Sequence, residues 1–230
     1  MRATLLRCGL TLAALAASLI LLAPPNFAED KKDDDGFTPL FNGKDLKGWK
    51  VFLDPTIKFV RDPMTFTVKD DVIVVSGQPN GFIYTDKGYK NYVLRYDWRY
   101  KKPVDLKDDK DFKGNSGCLV HIHDPEKPAV GKVWPQCVEV QGMNARHGQL
   151  LFLKAKGEGK YDQEARDKAA KAVGEWNTTE VVCKADGSIT VKINGTEVSS
   201  GKSELTDGMI GFQSEGVELH FKNIKIKEMK

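Results

Sequence analysis

The chain of 230 residues carries 35 Lys and Arg against 32 Asp and Glu, a formal net charge of +3. So even a mixture of charges leaves no electrostatic footprint for a nucleic acid, and a neutral partner such as a glycan is expected instead. The longest apolar run, Leu10–Ala23, is short of the roughly 20 residues a bilayer span needs, which excludes a membrane span in the mature chain.

Residues 1–28 read as a secretory signal. Arg2 and Arg7 make a basic start, Leu10–Ala23 an apolar middle, and Pro24-Pro25-Asn26-Phe27-Ala28 a breaker ending in a small residue. Cleavage after Ala28 leaves 202 residues, with 33 basic against 32 acidic side chains once Arg2 and Arg7 are gone. The mature protein is then periplasmic or extracellular. Residues 29–36, EDKKDDDG, have nothing to bury and read as a flexible leader. Residues 37–230 suit one domain. Of the four cysteines Cys8 lies in the signal, and the odd set that cleavage leaves, Cys118, Cys137 and Cys183, points to buried free thiols rather than a full disulfide framework.

In chain order, Phe37–Trp49 contains a short apolar pair and an Asn42-Gly43 turn, and reads as an opening strand that ends on an anchoring aromatic. Thr65–Lys69 and Val72–Ser76 form a hairpin about Asp70-Asp71, and Gly81–Thr85 is a further strand. Tyr92–Tyr100 alternates throughout. Tyr92, Leu94, Tyr96, Trp98 and Tyr100 share one face, and Val93, Arg95, Asp97 and Arg99 the other, as in a sheet with one face buried.

Gly114–His123 follows a charged loop. A two-residue period puts Ser116, Cys118, Val120 and Ile122 on one face and Asn115, Gly117, Leu119, His121 and His123 on the other. In Cys137–Gln141, Val138 and Val140 point one way, and Cys137, Glu139 and Gln141 the other. If the two runs lie in one sheet, His121, His123, Glu139 and Gln141 share a polar face. Leu150–Leu153 is a brief strand, and Gln163–Val173 has the composition of a short helix. Trp176–Lys184, Ser188–Ile193, Thr196–Val198, Gly208–Ser214 and Val217–Lys227 are strands joined by Asp186-Gly187, Asn194-Gly195, Asp207-Gly208 and Glu215-Gly216. Many short alternating strands predict an all-β, antiparallel sandwich or barrel.

Six blocks, taken together and in this order, carry a resemblance: FTPLFNGKDLKGW, YKNYVLRYDWRY, GNSGCLVHIH, EVQG, GEWNTTEVVCKADGSITVKINGTEV and GMIGFQSEGVELHFKNIKIKEM. They resemble a family named for 3-keto-disaccharide hydrolase and 3-keto-glucoside-1,2-lyase activity. The resemblance implies a concanavalin A-like jelly roll of two antiparallel sheets, one facing sugar, and cleavage of glycosides already oxidised to a ketone at the third sugar carbon. Such a ketone acidifies the neighbouring C–H. The enzyme then needs a base, a group to stabilise the enolate and an acid for the leaving oxygen.

Glu139, His121 and His123 are the candidates for proton transfer. The same three could hold a divalent metal ion as a Lewis acid, since His at i and i+2 of a strand point the same way. The bland reading of the pair is a structural or exposed imidazole, because His-x-His is a loose motif. Arg95, Asn115, Gln141, Arg146, His147 and Gln213 are candidates for holding the sugar, and Trp134, in a Pro-flanked loop, for stacking on its ring. Arg95, Asp97 and Arg99 suit a solvated face with cross-strand ion pairs somewhat better than a substrate site. Trp49, Trp98 and Trp176 read as core, and His220 as structural. Two functions therefore stand side by side: a keto-glycoside lyase or hydrolase, and a non-catalytic carbohydrate-binding module on the same fold.

Overall fold

The computed structural model describes Asp33, residues 35–57 and residues 64–230. The expected signal, residues 1–28, lies outside the described residues. Sixteen strands run in the order β1 (Thr38–Pro39), β2 (Trp49–Leu53), β3 (Phe66–Lys69), β4 (Val72–Val75), β5 (Gly81–Thr85), β6 (Tyr89–Lys90), β7 (Tyr92–Tyr100), β8 (Gly117–His123), β9 (Gln136–Gln141), β10 (Leu150–Leu153), β11 (Gly157–Tyr161), β12 (Asn177–Cys183), β13 (Ser188–Ile193), β14 (Thr196–Ser203), β15 (Asp207–Ser214) and β16 (Leu219–Glu228). Helix α1 (Gln163–Ala169), capped by the Asp162 carboxylate accepting from the Ala165 N–H, is the one α-helix among the described residues.

The strands form two antiparallel sheets. The first, sheet A, runs β11-β14-β13-β12-β7-β16-β4-β3, with β1 beside β16; the second, sheet B, runs β10-β9-β8-β15-β5-β2, with β6 beside β15. Neighbours in the sheets are far apart in sequence: β7 lies between β12 and β16, and β15 between β8 and β5. The expected jelly-roll sandwich with one short helix is what the chain forms.

The alternation along β7 explains the core. Its inward residues Tyr92, Leu94, Tyr96, Trp98 and Tyr100 are all buried, while the residues between them are half exposed. Across the sandwich, Tyr96 meets Phe212 of β15 edge to face at 5.0 Å, and Phe212 lies 4.6 Å from Phe221 of β16. Burying each such side chain contributes about 1.5–3 kcal/mol relative to leaving it in water. Turn chemistry sets the registers: Asp70 and Asp71 have φ 52° and 60°, and Asn194 and Gly195 φ 49° and 88°, as two-residue hairpin turns require.

Several expectations need correcting. Trp176 is not core: it lies half-buried on the outer face of sheet A, with the Arg99 guanidinium 4.6 Å and the Lys222 ammonium 4.2 Å from its ring centre. The end of the leader is tied down where it is described, because the Lys225 Nζ donates to Asp33 at 2.6 Å and the Lys227 Nζ to the Asp35 carbonyl at 2.9 Å. The polar stretch after Lys156 includes strand β11, whose partners Ser199–Ser203 carry β14 past its expected end.

Candidate active site

The outer face of sheet B carries a second apolar cluster, formed by Phe82, Tyr84, Leu119, Ile122, Val133 and Cys137, with Trp134 and Phe52 packed against it. Trp134 sits 6.5 Å from Phe82, and the loop that carries it is anchored by the Tyr84 hydroxyl donating to Glu126 at 3.1 Å. Glu139 lies at the border of this cluster. Strand β9 runs between β8 and β10, so Glu139 stands opposite Leu119 on one side and Leu151 on the other. It is 5% exposed.

A carboxyl among aliphatics holds its proton. Burial, reinforced by the nearby charge of Glu215 and opposed by a hydrogen bond with Gln213, pushes Glu139 up to about 8. Glu215 follows β15, two residues beyond Gln213, and so returns to the same side of the strand. Its pKa is also raised by burial, while a hydrogen bond from the Asn115 side chain opposes the shift. Asn115 bridges Glu215 and Gly216 through its backbone. The result is two carboxyls in unequal environments, the usual basis for one acid and one base.

Gly117 makes the room. A Cβ there would stand 2.5 Å from Gln213 Oε1 and 2.8 Å from Glu139 Oε1, closer than real contacts allow. Gln213 Oε1 and Asn115 Oδ1 are buried without a hydrogen-bond partner, so both amides keep acceptor capacity beside the carboxyl pair. The support beneath is rigid. The Ser116 hydroxyl donates to the Gln213 carbonyl at 2.9 Å, the Tyr100 hydroxyl to the Gly142 carbonyl at 2.6 Å, and the Met143 N–H to Gln141 Oε1 at 2.6 Å.

Sheet B therefore gathers Asn115, Trp134, Glu139, Gln141 and Gln213 on one face. The histidines do not join them. A register shift between Val120 and His123, with His121 at φ 55°, turns the His121 ring into the sandwich, where it meets Tyr92 edge to face at 5.9 Å. Burial lowers its pKa to about 4. His123 pairs with Gln136, three residues from Glu139, or roughly 10 Å along a strand; its Nε2 is bonded to the Asp207 carbonyl at 2.9 Å. His121, His123 and Glu139 thus do not fit a shared metal ion, and no group of three or more His, Cys, Asp or Glu suited to a metal occurs among the described residues.

The other candidates lie elsewhere. Arg95 belongs to sheet A, paired with Glu180 at 2.8 Å and Asp35 at 3.5 Å. His147 is buried, stacked on Trp98 at 3.8 Å and bonded to the Thr179 hydroxyl at 3.1 Å, and its pKa falls to about 3 through burial. Arg146 is exposed at the turn before it. His220, in keeping with a structural role, accepts from the Arg99 Nε at 3.2 Å. Glu215 was hidden in the sequence by its Gly, since Glu215-Gly216 reads as a turn; the signal that could have found it is its spacing of two from Gln213.

The fold is a two-sheet jelly roll with a buried carboxyl, a half-buried one and an aromatic on one sheet face, a class to which carbohydrate-associated proteins belong. Residues 36–227 match the model of the 3-keto-alpha-glucoside-1,2-lyase-like domain, and the chain belongs to that family. Among solved structures it is similar to a "putative glycosyl hydrolase" from Parabacteroides distasonis, at 27% identity over 85% of this chain and 95% of that one, with a TM-score of 0.59. A second protein of the same description and organism matches at 24% identity over 84% and 99%, TM-score 0.59. The carbohydrate-binding module CBM66 from Bacillus subtilis shares the fold at 11% identity over 80% and 97%, TM-score 0.52. No curated protein matches the sequence. No helix among the described residues is long and apolar enough to cross a membrane.

Proposed function

We propose that the protein cleaves glycosides oxidised to a ketone at the third sugar carbon, by elimination followed by hydration. The observation that carries this reading is the unequal carboxyl pair: Glu139, pushed up to about 8, beside the less buried Glu215. At neutral pH Glu139 holds a proton to give, and Glu215, the less buried carboxyl beside it, is assigned the part of taking one.

In this scheme Glu215 removes the hydrogen on C2, and the electrons of that bond form the enolate of the C3 ketone. As the ketone reforms, a C1–C2 double bond appears, the C1–O bond breaks, and Glu139 donates its proton to the departing oxygen. Water then adds across the double bond, so the net change is hydrolysis. The Gln141 amide, whose Oε1 is already taken by the Met143 N–H, has its NH2 to donate to the ketone oxygen, the free oxygens of Asn115 and Gln213 accept from neighbouring hydroxyls, and Trp134 offers its face to the ring. The residue 1–28 pattern supports export, so that this chemistry takes place in the periplasm or outside the cell.

The fold also suits a binding module without turnover, like the CBM66 relative. A buried carboxyl kept protonated is a feature that binding alone does not require, and it favours the enzyme. The test is release of the aglycone from a 3-keto-glucoside and from the same glucoside unoxidised. Turnover of the first alone, lost in both Glu139→Gln and Glu215→Gln, supports the reading; glycan binding with no turnover of either would favour the binding module.

A further inference from the structure

A broad concavity lies on the other side of the sandwich. The outer face of sheet A holds a trough of about 1030 Å³, at the upper end of the range for ligand sites. Its floor is made by outward residues of β7, β12, β13 and β16. One wall is the Phe41–Gly43 loop, and another the Asn194-Gly195 turn. The sheets of a sandwich stand about 10 Å apart, so this trough and the Glu139 face are separate sites.

Two features say what would fit it. First, its charges cancel: Arg95, Lys192 and Lys225 line it together with Asp71, Asp97 and Glu180. A cancelled set gives no net attraction for an ion but presents donors and acceptors side by side, as a chain of sugar hydroxyls requires. Second, the lining is already fixed. Arg95 is paired with Glu180, Asp97 accepts from the Thr178 hydroxyl at 2.6 Å and from the Asn223 amide at 2.6 Å, and the wall loop is closed by Asn42 Oδ1 accepting from the Lys44 and Asp45 N–H groups at 2.8 and 3.0 Å. A ligand entering such a trough loses little side-chain freedom, which removes one of the main costs of binding.

We propose that this trough is a second, non-catalytic site for a neutral oligosaccharide or polysaccharide chain. It holds the protein on a glycan while the Glu139 face remains open to its own substrate. The inference does not depend on the reaction proposed for that face.

The test is affinity electrophoresis of the full chain in gels containing amylose, hydroxyethylcellulose, xylan or galactomannan. At least one should retard the wild type, and Glu139→Gln should be retarded equally. A Lys192→Ala and Asp97→Ala double variant should bind at least fivefold more weakly. If that variant melts below the gel temperature, Lys192→Ala alone is read instead, since its ammonium rests 3.6 Å from Glu180 and is exposed. Retardation by none of the four polymers, or retardation abolished by Trp134→Ala and untouched by the trough variants, would overturn the proposal.

Discussion

Gly117 on β8 and Glu139 on β9 are matched so closely that one added methyl would collide with the carboxyl: a Cβ at Gly117 would lie 2.8 Å from Glu139 Oε1. The same methyl would meet Gln213 Oε1 at 2.5 Å. Gly117→Ala should therefore displace both side chains at once. Both atoms are the far ends of flexible side chains, so the melting temperature should change little, while turnover of a keto-glycoside should fall more than tenfold. A melting curve and an initial-rate assay of one preparation check both, and a fully active Gly117→Ala would show that this contact does not set the site.

Glu139 also predicts a pH dependence of stability. Its folded pKa, about 8, lies above the ordinary value of 4.5. The folded state therefore binds the extra proton, and the group's cost is absent below about pH 4.5, grows as pH rises, and is complete above about pH 8. At pH 7 the cost is on the order of 3 kcal/mol. Glu139→Gln should remove that slope and raise the denaturation midpoint at pH 8, while lowering turnover by about 10²–10⁴-fold, the range for losing a general acid or base.

The buried imidazoles act in the opposite sense. His121 and His147, at about 4 and about 3, are lowered from 6.5 by burial. Their neutral forms cost nothing extra above about pH 6.5, and stability is lost as pH falls from there through the folded values. Neither ring nitrogen of His121 has a side-chain partner, so His121→Phe keeps the edge contact with Tyr92 while removing the titration. Urea unfolding at pH 8 and pH 4.5 should show a near-neutral change at the first and a gain at the second.

The thiols give a simpler check. Cys118, Cys137 and Cys183 are free and buried, and burial raises all three pKa values, Cys183 to about 12. A thiolate-specific reagent should leave them unmodified in the native protein and react with all three in guanidinium.

How legible this was varied with the physics of each segment. Strand β7 was readable because nine residues alternate without a break, and the hairpin turns because left-handed φ values restrict residue choice. The placement of Glu139 and Gln141 on one face followed from the same alternation, whereas nothing local put Gln213 beside them: its strand β15 pairs with β8 across nearly a hundred residues. His121 was misread because a single bulge residue reverses every face assignment beyond it, and nothing in Val120-His121-Ile122 marks that bulge. Of the two readings of Arg95, the solvated face with cross-strand ion pairs is what its pairing with Glu180 shows; the other needed β7 in the sheet of Glu139, and which sheet a strand joins is decided by long-range pairing that local pattern does not encode. Trp176 reads as core because aromatics usually are, whereas here it is covered in part by the cations Arg99 and Lys222.

The most direct measurement follows the hydrogen on C2. Cleavage of a 3-keto-glucoside in deuterium oxide, with the product examined by NMR before and after full conversion and unreacted substrate as the control, distinguishes elimination from direct displacement. Elimination and hydration predict one deuterium at C2 of the released keto-sugar, with incorporation lost together with turnover in Glu215→Gln. A product that keeps its C2 hydrogen would contradict the account.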